Sequence, residues 1–189
     1  MGHTIAEKIL ARASGKPEVR AGEFVWAVPD LVIGHDLNYP RYRKMMRDAG
    51  HANLAEPAKV LVTIDHTTYA DDAGSLAQHR AMREDAREQS IGMFFDVGQH
   101  GISHNVPLDV GAVRPGMLVV ASDTRAPALG CAGALSIAVG IGLVTVMSTG
   151  RGWFRVPETI RVELSGTLPA GVMSRDLAQW IAHQIGYER

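Results

Sequence analysis

The sequence predicts an α/β domain of three layers, α/β/α, around a mostly parallel sheet. Three observations carry that expectation. Val60-Leu61-Val62-Thr63-Ile64 and Met117 to Ala121 are apolar, largely β-branched runs bounded by turn-forming residues, as buried strands are. Helix-forming stretches alternate with strand-like ones through most of the chain. Of the 189 residues, 46% are hydrophobic and 21% charged. A domain of this size can bury roughly 70% of its unfolded surface, which excludes general disorder.

Taken in order, Thr4-Ile5-Ala6-Glu7 has the spacing of a capping box, and apolar Ile5, Ile9 and Leu10 precede a stop at Gly15, so the first element is a short helix. Glu23 to Val28 alternates as a strand and ends at Pro29. A helix is expected from Pro40 to Ala49, with Gly50 as its C-terminal stop. The strand Val60–Ile64 is followed by a helix from Leu76 to Gln89 and a short strand around Phe94, Phe95 and Val97. Val113-Arg114-Pro115-Gly116 is a turn before the strand Met117–Ala121. From Gly130 to Met147, small residues suit a helix packed closely on a sheet or ligand. Thr159 to Leu164 alternates as a strand, and Ser174 to Ile185 reads as a helix with Asp176 in its first turn. No repeat or low-complexity linker interrupts the pattern, so 1–189 is expected to be one domain.

Composition narrows the function. With 19 Lys+Arg against 20 Asp+Glu, the net charge is -1 and no basic stripe exists to neutralise phosphates, so nucleic acid is not an expected partner. The longest apolar stretch, Ala126 to Met147, is broken by glycines and prolines and reads as buried protein, so no membrane partner is expected. The N-terminus is amphipathic and lacks the apolar segment of a signal peptide, so the expected location is cytoplasmic. One cysteine, Cys131, excludes an internal disulfide and any cysteine-only metal site built by this chain alone. Met45, Met46, Trp153 and Trp180 read as core or interface.

Ligands of open α/β sheets bind beyond the carboxyl ends of the strands. Four such loops share one composition: Asp30, His35 and Asp36 after the first strand; Asp65 and His66 after the second; His100 and His104 after Phe94–Val97; Ser122, Asp123, Thr124 and Arg125 after Met117–Ala121. An aspartate beside a histidine orients the ring and supports proton transfer near neutral pH, while an arginine can bind a carboxylate through both nitrogens. The same residues also cap helices and satisfy turns. His100 and His104 are four apart, but Gly101 opposes the helix a zinc pair would need, so no metal ligand is assigned. Gly130-Cys131-Ala132-Gly133 lacks dinucleotide-binding spacing. A helix N-terminus there could still hold a substrate carboxylate.

At these residues the sequence resembles the N-terminal part of the aconitase family, on the side of the 3-isopropylmalate dehydratase and homoaconitase large subunits. The similarity runs almost end to end: Met1 to Leu10, His35-Asp36-Leu37, Ile64-Asp65-His66, Gly101-Ile102-Ser103-His104 and Trp153-Phe154-Arg155-Val156-Pro157-Glu158. The resemblance implies an aconitase-like α/β fold and a hydro-lyase that dehydrates and rehydrates a 2- or 3-hydroxy di- or tricarboxylic acid such as isopropylmalate, as in leucine biosynthesis. It implies a [4Fe–4S] cluster whose free iron polarises the substrate, and it makes Asp65, His66, His104 and Asp123 catalytic. His35, Asp36, Asn105, Thr124 and Arg125 would lie on the substrate side. The family's Asp-Ser-His stands here as Asp123-Thr124-Arg125, and the glutamine after its histidine as Asn105. The cluster cysteines lie farther along the family's chain, so the expected partners are the remaining large-subunit domains, a small subunit with a swivelling domain and, as an option, further copies of the chain. Two other readings stay open: a catalytically degenerate homologue that binds a small carboxylate or serves as a structural subunit, and a mononuclear metal enzyme built on the His/Asp loops.

Overall fold

A computed structural model describes residues 2–99 and 101–186. Contacts divide the chain into two compact units, 1–159 and 160–189, where the sequence reading takes 1–189 as one domain. In the first unit, helix α1 (Ile5–Ser14) forms as its capping box dictates: the Glu7 N–H donates to Thr4 Oγ1 (3.2 Å), the Thr4 N–H to Glu7 Oε2 (2.8 Å), and Gly15 closes the helix with a positive φ of 69°. Then come β1 (Phe24–Ala27), β2 (Leu31–His35), α2 (Tyr39–Asp48), β3 (Val60–Thr63), α3 (Ala73–Glu88), β4 (Met93–Phe95), α4 (Val106–Asp109), β5 (Leu118–Ala121), β6 (Leu135–Ala138), α5 (Leu143–Thr149) and β7 (Gly152–Arg155). Three 3₁₀ segments, Pro57–Lys59, Ala126–Ala132 and Gly140–Gly142, join them. In the second unit, residues 160–173 carry no regular structure and α6 spans Ser174–Ile185, with the Asp176 carboxylate capping the Met173 N–H at 2.8 Å.

Five parallel strands form the sheet, in the order β4-β3-β2-β5-β6. Both faces are covered, which is why every residue of β2, β3 and β5 is buried. Val32, Val60, Val62, Leu118 and Val120 pack with Leu10, Tyr39, Met46, Met82 and Leu143 from α1, α2, α3 and α5. Their neighbours Leu31, Ile33, Leu61, Val119 and Ala121 pack with Val113, Ala126, Leu129 and Ala134 on the other face. Each such side chain contributes about 1.5–3 kcal/mol when fully buried.

Four expectations need correction. The first strand, β1, pairs antiparallel with β7 outside the large sheet. The strand that delivers His35 and Asp36 is β2, central to the sheet and hidden in the sequence between Pro29-Asp30 and Gly34. The segment 130–147 is not one close-packed helix; it holds the end of a 3₁₀ turn, strand β6, a second 3₁₀ turn and α5, so no helix N-terminus stands at Gly130. Thr159–Leu164 forms no strand, because no strand among the described residues lies beside it to bond.

Gly34 lets α2 start where it does: a Cβ there would meet the Tyr39 ring at 3.0 Å. The Tyr39 hydroxyl donates to Asp85 of α3 at 2.6 Å, and buried Arg43 donates to the same carboxylate from Nε (2.8 Å) and Nη2 (2.9 Å). This buried fork ties α2 to α3. Asp85→Ala would leave the Arg43 charge buried without its counter-charge and is expected to cost about 3–5 kcal/mol. Lys44→Ala, in an exposed ion pair with Asp48, should cost at most about 0.5 kcal/mol. Urea denaturation of both variants checks the pair.

Candidate functional site

Strand β2 is the switch point of the sheet, with β3 and β4 to one side and β5 and β6 to the other. At the carboxyl ends of these strands the chain brings together His35 and Asp36 from β2, Asp65 and His66 after β3, and Asp123 after β5. Donor atoms of His35, Asp36 and His66 lie within 4.8 Å of one another, as do those of Asp65, His66 and Asp123.

Asp36 organises the group. Its carboxylate is fully buried and accepts from the backbone N–H groups of Asp65 (3.0 Å), His66 (3.0 and 3.1 Å) and Thr67 (2.7 Å), and from the Thr67 hydroxyl (2.5 Å). Burial alone would raise its pKa. The Thr67 hydroxyl and the backbone donors of His66, Thr67 and Asp65 outweigh burial and hold it at about 2. The Gln78 side-chain amide of α3 also donates to the Asp36 carbonyl.

His66 Nδ1 sits 3.6 Å from Asp36 Oδ1 and 3.9 Å from Asp65 Oδ2, and its ring stacks on that of His35 with centroids 4.7 Å apart. The side chain is 37% exposed, so its other nitrogen is available to a ligand. His35 is buried, and the Asn38 amide donates to its Nε2 at 3.1 Å. Burial, then neighbouring His66, lower the His35 pKa against the opposing pull of Asp36, Asp123 and Asp65, so this ring stays neutral. Its Nδ1, 3.9 Å from Asp36 Oδ1, has no hydrogen-bond partner.

The remaining expected residues surround this cluster unevenly. Asp65 Oδ2 accepts the Ser103 N–H (2.9 Å), and Thr63 Oγ1 donates to the Gly101 carbonyl (3.1 Å), which draws the Gly101–His104 segment to the rim. His104 itself is half-buried with an unpartnered Nδ1. His100 lies outside the described residues. Asp123 turns its carboxylate onto the Arg125 N–H (2.6 Å), leaving Thr124 and Arg125 exposed, and Asn105 is exposed at the start of α4.

Sequence reading missed Asn38, Thr67 and Gln78; Ser122, which it placed in the loop after β5, is buried and its Oγ has no partner. Thr67 was legible beside Asp65-His66, and Asn38 stands three residues after His35 at a helix start. Gln78 carries no local signal, because only tertiary packing brings α3 to Asp36.

The arrangement can hold and move a proton at His66. It is a poor cation site on the Asp36 side, where both carboxylate oxygens are filled by donors. It is also no iron–sulfur site: the chain's one cysteine, Cys131, is exposed in the 3₁₀ turn 126–132, and such clusters need three or four thiolates.

Compared with known proteins, residues 7–189 match the model of the aconitase family (aconitate hydratase). The "3-isopropylmalate dehydratase large subunit" of Syntrophus aciditrophicus (strain SB) is 40% identical over 189 residues, covering 100% of this chain and 45% of the relative. The "3-isopropylmalate dehydratase large subunit 1" proteins of Methanopyrus kandleri and Pyrococcus furiosus are each 39% identical, covering 98% of this chain and 44% of theirs. The chain therefore spans a little under half the length of the curated relatives it matches.

Asp36 makes stability acid-sensitive in a defined window. Its folded pKa, about 2 against an ordinary 3.8, means the contribution is fully present above pH 3.8 and is lost as pH falls towards 2. The amount is about 2 kcal/mol, and Asp36→Asn should forfeit it at pH 7 and flatten the acid limb of urea-denaturation midpoints. His35 acts in a different window. With its folded pKa lowered below 6.5, the unfolded chain gains a proton that the fold refuses, so stability falls as pH drops below 6.5. His35→Gln should remove that slope between pH 7 and 5.5.

Proposed function

The chain belongs to the aconitase family, and from that premise we propose that it supplies the acid–base wall of a hydro-lyase acting on a 2- or 3-hydroxy di- or tricarboxylic acid such as 3-isopropylmalate. The observation that carries this reading is the convergence of His35, Asp36, Asp65, His66 and Asp123 at one end of a parallel sheet, in a chain whose relatives are named as 3-isopropylmalate dehydratase large subunits.

Hydroxide is a poor leaving group near neutral pH, so dehydration needs an acid at the departing oxygen. His66 is suited to that role. Its Nδ1 faces Asp36 and Asp65, which orient the ring so that Nε2 is the nitrogen that gives a proton to the departing oxygen; in the hydration direction the same nitrogen takes the proton back from water. His35, neutral and stacked on His66, fixes the ring plane without adding a second positive charge. His104 and Asp123 line the flanks. Arg125, exposed beside Asp123, is the cation this chain offers to a substrate carboxylate, with Thr124 and Asn105 as polar neighbours.

The [4Fe–4S] cluster of the family supplies Lewis-acid chemistry when bound, but the donor set of this chain does not fit it. In this reading its thiolates come from the remaining large-subunit domains, and a small subunit completes the substrate cavity. No helix among the described residues is long and apolar enough to cross a membrane.

The test is reconstitution. Co-produced anaerobically with the missing large-subunit portion and the small subunit of a relative, the chain should support dehydration of 3-isopropylmalate. His66→Gln should lower kcat about 10²–10⁴-fold with little change in KM. An assembled complex that binds 3-isopropylmalate without turning it over would instead identify a degenerate homologue.

A further inference from the structure

The outer half of the cluster differs from the Asp36 half. Asp36 has both oxygens engaged by donors, but Asp65 Oδ2 accepts only the Ser103 N–H and Asp123 Oδ1 only the Arg125 N–H. The second oxygen of each accepts no hydrogen bond among the described residues. One donor atom from each of Asp65, His66 and Asp123 lies within 4.8 Å of the other two. Donors on a first-row divalent ion stand roughly 3–3.5 Å apart, from bond lengths of about 2.0–2.2 Å. An inward movement of ~1–2 Å closes the set, and His66, 37% exposed, has room to make it.

Two further observations point to a ligand here. Asp36, Asp65 and Asp123 stand together, yet among the described residues no Lys or Arg nitrogen comes within 4.0 Å of any of them; only imidazoles do. Like charges gathered in a half-buried rim favour a cation. Second, six buried side-chain atoms among the described residues lack a hydrogen-bond partner, and four belong to this rim: His35 Nδ1, Ser103 Oγ, His104 Nδ1 and Ser122 Oγ. Ser103 and Ser122, 1% and 6% exposed, adjoin Asp65 and Asp123 directly. His35 Nδ1 aims at the Asp36 oxygen that His66 Nδ1 also approaches, at 3.9 and 3.6 Å. Buried polar atoms left without partners mark the place of an ion or its water.

We infer that Asp65, His66 and Asp123 bind one divalent cation of the Mn²⁺ or Zn²⁺ class, whose remaining positions keep water that meets the partnerless atoms around it. Two carboxylates with one imidazole suit these ions, whereas Mg²⁺ prefers oxygen alone. Asp36, already saturated, acts from behind by holding the Asp65–His66 turn in place. The site uses no thiolate, and the ion and a transferable proton are alternative occupants of His66. It belongs to this chain alone and stands whether or not the hydro-lyase reading does.

The experiment titrates Mn²⁺ into the full chain after dialysis against a chelator. Electron paramagnetic resonance counts the bound ion, which loses the sharp lines of aqueous Mn²⁺, and one ion per chain is expected. In proton NMR the ring signals of His66 should broaden at substoichiometric Mn²⁺, well before those of His51, exposed after the far end of α2. This is read on the unsubstituted chain, so it stands even where a variant fails to fold. Asp123→Asn and His66→Gln should each weaken binding at least ~10-fold, and His51→Gln should leave it unchanged. Absence of binding, equal binding in all three variants, or broadening that reaches His51 as early as His66 overturns the inference. A chain that binds Mn²⁺ as described, but whose reconstituted assembly does not turn over 3-isopropylmalate, upholds the cation site and contradicts only the hydro-lyase reading.

Discussion

A carboxylate removed from water must be matched by donors, and at Asp36 the match comes from another strand's loop. The last residue of β2 places it at the sheet rim, and three consecutive backbone N–H groups after β3, with one hydroxyl, converge on it. The hydrogen bonds cross from one strand end to the next, so satisfying the buried charge and fixing the Asp65–His66 turn are a single event. The imidazole of His66 inherits its position from that turn, and His35, one residue before Asp36, stacks against it.

Around this clamp the fold is layered support. Gly34 admits Tyr39 beneath the strand end, Tyr39 and Arg43 bind Asp85 on α3, and α3 returns Gln78 to the Asp36 carbonyl. The Arg83–Asp96 pair, 2.5 and 2.8 Å, fixes the root of the loop that leads to His104. The site therefore stands on rigid elements at its β2 and β3 edges and on turns at its β5 edge. There Asp123 spends a carboxylate oxygen on the Arg125 N–H and leaves Thr124 and Arg125 facing solvent.

Much of this was legible in the residues themselves. The capping box of α1, the buried runs of β3 and β5, the parallel architecture and all five converging polar residues follow from local pattern together with the rule that ligands gather at strand ends. Asp36 was legible as a site residue but not as the clamp, because a hydrogen-bond acceptor does not announce which loop will supply its donors. Strand β2 escaped notice through Gly34, which weakens a strand signal for the sake of Tyr39. Thr159–Leu164 shows the opposite failure. Its alternation is that of a strand, but a strand exists only with a neighbour, and no neighbour is among the described residues. The aconitase-family match extends over both units.

The dependence of the site on Asp36 can be read most directly by NMR, following the amide protons of Asp65, His66 and Thr67 as the native chain is acidified. If one buried carboxylate binds all three, they shift together with a common midpoint at about 2, the pKa of Asp36. Three unrelated midpoints, or a shared one at the ordinary aspartate value of 3.8, would show that the loops are held by something else and would remove the basis for placing His66.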